Sequence, residues 1–166
     1  MAIYYVRPDG SDTNSGLGPA TNLAWATIQK ALGVTGIGSG DTLYIAPGNY
    51  RQSVPVTIGG TYSTPTYIYG NPTATQFSGI TPGRVLITTR QTSDTGGAAF
   101  GNQILFSMTS KDYLNFENII FECANAGNAF SITNCIDLKW RKCLFQTHGV
   151  SASISVVDNT VNGLTK

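Results

Sequence analysis

The 166-residue chain is 41% hydrophobic but only 11% charged, with 19 glycines and a formal net charge of +1. That balance excludes disorder, which needs low hydrophobicity, and offers nucleic acid or an anionic membrane no electrostatic footing. The apolar runs are only a few residues long, so no membrane insertion is expected, and Met1 to Pro8 lacks the pattern of a signal peptide.

An apolar strand at Tyr4-Tyr5-Val6 opens the chain and a polar turn follows it. Asp9, Asp12 and Asn14 look like a fragment of a calcium loop, but the full spacing is absent and turn chemistry explains them better. The stretch from Trp25 to Leu32 places Trp25, Ile28 and Leu32 on one helical face, with Asn22 as N-cap and Gly33 as stop. Alternations at Leu43/Ile45, at Tyr67/Tyr69 or Ile68, and at Val85/Ile87 then read as strands. Turn signals separate them at Pro47-Gly48, Gly59-Gly60, Asn71-Pro72 and Pro82-Gly83. Gln91 to Gly101 has no periodicity and reads as a surface loop.

From Leu105 onward the chain repeats. Leu105-Phe106-Ser107-Met108-Thr109-Ser110 is matched 24 residues later by Ala129-Phe130-Ser131-Ile132-Thr133-Asn134, and again by Ser153-Ile154-Ser155-Val156-Val157-Asp158. Leu114 to Phe121 falls on Leu138 to Phe145 without a gap. Each repeat holds three bursts of period-2 alternation, which describes one triangular turn of a parallel β-solenoid. Phe106, Phe130 and Ile154 should stack inside, as should Phe116 and Trp140. Glu117 should lie beside Arg141, and Asn115 beside Lys139, on the outside.

In this register residues 24 apart are neighbours. Ser107, Ser131 and Ser155 form an uncharged ladder; Asp112 meets Ile136, Asp137 meets Tyr113 and Glu122 meets Gln146. No carboxylate stacks on another, so no catalytic pair, metal site or cofactor site is expected here. His148 falls on Ala124 at an expected coil corner and has no partner for base catalysis. Cys123, Cys135 and Cys143 match no zinc spacing and read as free thiols. Two surfaces are candidates for contact. Tyr62, Tyr67 and Tyr69 could stack on the sugar rings of a polysaccharide ligand. Ile120 and Leu144 face outward as an apolar stripe for protein contact.

Tyr4-Tyr5-Val6, Asp9-Gly10-Ser11-Asp12, Ser15-Gly16, the Trp25 to Leu32 segment and Gly40-Asp41-Thr42-Leu43-Tyr44-Ile45, with Pro47-Gly48 and Tyr50, occur in one ordered series. This series resembles the N-terminus of pectate-lyase-like right-handed parallel β-helix proteins. The resemblance implies an all-β fold with three short strands per coil of about 24 residues and an N-terminal capping α-helix. The expected layout is one domain over 1–166, with the N-terminal strand and cap in 1–41 and the coils in 42–166, incomplete at the C-terminal end. Ile154 and Val156 would then lie in an exposed last layer, sealed by a homo-oligomer or a partner protein.

The resemblance spans lyases, hydrolases, adhesins and tail spikes, so three functions compete. The first is a non-catalytic structural or adhesive β-helix of a bacteriophage particle, made in the host cytoplasm and displayed on the virion surface. The second is part of an extracellular polysaccharide lyase or hydrolase with its active site beyond Lys166. The third is a carbohydrate-binding module.

Overall fold

The structure, a computed structural model, describes residues 1–33, 36–89, 105–124, 128–148 and 153–157. Short alternating runs broken by turn residues give strands of three to six residues. β1 (Ile3–Val6) and α1 (Ile28–Leu32) come first. A first coil follows, with β2 (Thr42–Ile45), β3 (Gly48–Arg51) and β4 (Val54–Val56). The second contains β5 (Thr66–Gly70), β6 (Val85–Thr88) and β7 (Phe106–Thr109). The third contains β8 (Leu114–Glu117), β9 (Ile120–Ala124) and β10 (Asn128–Thr133). The fourth contains β11 (Lys139–Arg141), β12 (Leu144–His148) and β13 (Ser153–Val157). The strands pair in parallel in three sheets: β1-β2-β5-β8-β11, β3-β6-β9-β12 and β4-β7-β10-β13. Apart from α1 the described chain is all-β, and its parallel sheets fit a β-helix.

The 24-residue register holds. Phe106 pairs with Phe130 and that with Ile154; Phe116 pairs with Trp140, and Glu117 with Arg141. Corners repeat with it. Ser110 and Asn134, Tyr113 and Asp137, and Asn118 and Lys142 all take left-handed backbone, with φ between 50° and 59°. Inside, the Phe116 and Trp140 rings stack at 4.2 Å and 8°, and Phe121 on Phe145 at 5.4 Å and 10°. Ile68, not Tyr67 or Tyr69, is the inward residue of β5, which settles the ambiguity of that strand.

The N-terminal region departs from expectation in detail. The helix is one turn and a half, its N-cap is Thr27 rather than Asn22, and the Thr27 side chain accepts from Lys30 N. Trp25 lies outside the helix as a parallel bridge partner of Val6. The reason is Asp12: its carboxylate accepts from the backbone N–H of Ala26 and Thr27 and from the Thr27 hydroxyl, holding the chain extended until Thr27. The outer edge of β1 is closed by this segment, through Tyr5 N to Gly16 O, Trp25 N to Tyr5 O and Arg7 N to Trp25 O. Trp25 stacks on Tyr4 at 5.1 Å. α1 buries Ile28, Ala31 and Leu32 and meets β4's flank through Thr57 N to Leu32 O.

Phe121 is fully buried and packs against Phe106, Phe116, Phe130, Trp140 and Phe145 at centroid distances of 5.3–6.3 Å. Phe121→Ala should therefore cost on the order of 4 kcal/mol. Ser131→Ala, on the outer ladder, should stay within about 0.5 kcal/mol. Urea unfolding midpoints of the two variants check the contrast.

Candidate functional site: a cleft beside a tyrosine row

At one corner the second coil is longer than its neighbours. Between the first and second sheets, the other coils turn in two residues: Ala46-Pro47, Asn118-Ile119 and Lys142-Cys143. At the same corner the second coil inserts residues 71–84. The insertion is internally organised. The Asn71 side-chain oxygen accepts from Thr75 N and from the hydroxyls of Thr73 and Thr75. Ala74 N bonds to Asn71 O, Phe77 N to Ala74 O, and Gly83 N to Pro72 O. Phe77, 4% exposed, fixes the loop by meeting the Tyr5 ring edge-on at 5.8 Å.

Beside this loop the outer face of the first sheet carries a row that parallel register creates. Tyr5 pairs with Tyr44, Tyr44 with Tyr69, Tyr69 with Glu117, and Glu117 with Arg141. Tyr44 has Tyr5 on one side at 6.0 Å and Tyr69 on the other at 5.6 Å, both tilted by 26°. Tyr67 stacks on Tyr69 at 5.9 Å. Stacking occupies the ring faces, so the row offers edges and phenol hydroxyls outward. Burial raises the Tyr69 pKa above the usual tyrosine value, with Glu117, Tyr67 and Tyr44 adding to the effect and Arg141 opposing it. Its hydroxyl therefore stays protonated across the physiological range.

Row and loop flank an open cleft of about 490 Å³. Tyr44, Tyr69 and Glu117 form one wall; Asn71, Thr73, Thr75 and Gln76 form the other, and Gly70 and Asn118 lie between. Glu117 is ion-paired to Lys142 at 3.7 Å and Arg141 at 4.0 Å, both cations well exposed.

Of the residues singled out by sequence, Tyr67 and Tyr69 share this face, but Tyr62 does not join them. It is 85% exposed and meets Tyr113 edge-on at 6.1 Å. Tyr5 and Tyr44 escaped the sequence reading, although Tyr44 and Tyr69 are one coil apart. Ile120 and Leu144 stack as expected, with Leu86 as a third member. Exposure declines from 48% at Leu144 through a half-buried Ile120 to 2% at Leu86. Ile154 and Val156 pair with Phe130 and Ile132. His148 ends β12 opposite Ala124, in a strand rather than at a corner, because β12 runs on to pair all five of its residues. The expected loop from Gln91 to Gly101 lies outside the described residues.

The acidic residues are otherwise engaged in structure. Of the nine, Asp94 and Asp158 lie outside the described residues. Asp9 pairs with the buried Arg7, which holds its carboxyl below the usual range. Asp12 accepts from Ala26 N, Thr27 N and the Thr27 hydroxyl ahead of α1, and Asn14 donates to Thr21 O and Ala24 O. Asp41 accepts from Ala2 N and Gly38 N. Asp112 accepts from Ile136 N, Asp137 pairs with Lys139, and Glu122 accepts from the Thr88 hydroxyl. The thiols are weak acids: burial pushes Cys143 up to about 11 and raises Cys123 and Cys135.

No protein-family model matches the chain, and no curated protein is similar to it in sequence. Solved structures are similar in fold. A rhamnogalacturonan lyase superposes with a TM-score of 0.60 at 19% identity, covering 91% of this chain and 37% of its own. The GH136 lacto-N-biosidase from Eubacterium ramulus does so twice. Its selenomethionine derivative gives 0.56 at 17% identity, over 92% of this chain and 28% of its own. Its native form gives 0.53 at 16%, over 87% and 30%. The chain thus spans little more than a third, or less, of these neighbours, and at such identities the likeness defines the fold.

Gly70, in the cleft lining, has no room for a side chain, because a Cβ there would lie 2.2 Å from the carbonyl oxygen of Asn118 in the next coil. Gly70→Ala should force the two coils apart and cost about 1–3 kcal/mol. Thermal unfolding monitored by circular dichroism reads this; an unchanged midpoint would mean that the coils are not in that close contact.

Proposed function

We propose that the chain is a non-catalytic, glycan-contacting β-helix whose contact site is the cleft between the tyrosine row and the 71–84 loop. The observation that carries this is the corner insertion. A two-residue turn would complete the coil, yet the chain builds an ordered wall of amides and hydroxyls facing phenols. Such walls match the many donors and acceptors of a sugar chain. Both neighbour proteins bear carbohydrate-active names, which favours the same class. Apart from Glu117, the described carboxylates are committed to ion pairs and structural hydrogen bonds, which favours contact without turnover.

In this reading residues 1–166 are one right-handed unit, with α1 and the Gly10 to Trp25 segment as its N-terminal cap. Tyr67 and Tyr69 remain contact residues, joined by Tyr44, while Tyr62 is left as a surface ring. A virion component remains one setting for such a module, and a segment of a longer extracellular polysaccharide-acting protein is the other. A partner or second copy at β11, β12 and β13, through Ile154 and Val156 or the Ile120–Leu144 stripe, belongs to either setting.

Because the ring faces are already stacked, hydroxyls should carry the recognition. Tyr44→Phe with Tyr69→Phe removes two hydrogen bonds of about 1 kcal/mol each, so affinity should fall about 30-fold with the fold intact. Calorimetry against oligosaccharides retained by the wild-type chain on a glycan array checks it. Full affinity in the double variant, or no saturable retention of any glycan, contradicts the proposal.

A further inference from the structure

We propose that the cleft selects uncharged, hydroxyl-rich glycans and rejects polyuronates, with Glu117 as the selecting group. The inference rests on the reading of the cleft as a glycan site and specifies its ligand class. Among the described residues lining the cleft, Glu117 is the one charged side chain. Its neighbours there are phenols, amides and hydroxyls, all neutral. Tyr69 adds no charge of either sign, since its phenol is held protonated.

The cations near Glu117 do not cancel it inside the cleft. Arg141 and Lys142 are 70% and 73% exposed and are not part of the lining. Their nitrogens stand 4.0 and 3.7 Å from the carboxylate, too far for hydrogen bonds. Exposed pairs of this kind are screened by water and weak. The Glu117 side chain itself is only 19% exposed, so its own charge is less screened than theirs. Its oxygens keep lone pairs to accept from a ligand hydroxyl, a charge-assisted bond stronger than a neutral one. A uronate carboxylate in the same place would meet a like charge and bring no proton to donate.

The test titrates the full 166-residue chain and its Glu117→Gln variant with two sets of probes. One is a set of neutral gluco-, galacto- and manno-configured hexasaccharides; the other is hexagalacturonate. The wild-type chain should bind at least one neutral hexasaccharide about tenfold or more tighter than hexagalacturonate. Glu117→Gln keeps size and an acceptor but removes the charge. It should weaken the neutral ligand about fivefold and tighten hexagalacturonate, so that the gap narrows. Preference of the wild type for hexagalacturonate, or an unchanged ratio in the variant, overturns the selection while leaving the glycan site standing. Binding of no hexasaccharide by the wild type overturns the glycan site as well.

Discussion

In a parallel coil stack every residue lies roughly 4.8 Å from its equivalents in the coils above and below. Each side chain must therefore suit two neighbours at once, and like stacks on like. Inside, this gives Phe116 on Trp140 and Phe121 on Phe145, rings that share faces at low tilt. At the corners it makes left-handed residues recur at the same positions. Outside, it turns single tyrosines on three successive strands into one row, and it also separates charge. Stacked carboxylates would repel one another, and among the described coils Glu117 faces Arg141 while Glu122 faces Gln146.

The same constraint confines variation to the corners. A strand residue cannot be added without shifting every outward side chain inward. A corner can grow at little cost, because loop closure depends weakly on length. The second coil uses that freedom at residues 71–84, and the wall so formed borrows rigidity from the solenoid. Phe77 rests on Tyr5, and Asn71 N bonds to Ile45 O of the first coil. Stacking of the coils thus makes the scaffold and the tyrosine side of the cleft, and a local insertion adds the other side.

Legibility in the sequence follows the same division. From Phe106 to Val157 the repeat is uninterrupted enough for internal stacks and external pairs to be read residue by residue. The helix boundary was not readable, because Asp12, far upstream, decides where the helix starts, and no local pattern around Asn22 reports that. The tyrosine row was hidden for another reason. Tyr5, Tyr44 and Tyr69 are separated by unequal stretches, and after β5 the insertion disrupts the spacing to Glu117. Proximity in sequence instead joined Tyr62 to Tyr67 and Tyr69, though the turn between them sends Tyr62 to Tyr113. Polarity alone gave no sign that Asn71 to Gln76 would face the tyrosines.

The coils carry the fold and one side of the site, and the inserted corner completes the site. The direct measurement replaces residues 71–84 with the two-residue Asn-Ile corner of the third coil. Circular dichroism then follows the fold, and calorimetry follows glycan affinity. If the corner completes the site, the β signal and a cooperative unfolding transition persist while glycan affinity is lost. Glycan affinity that survives the replacement would contradict it, and so would loss of the fold.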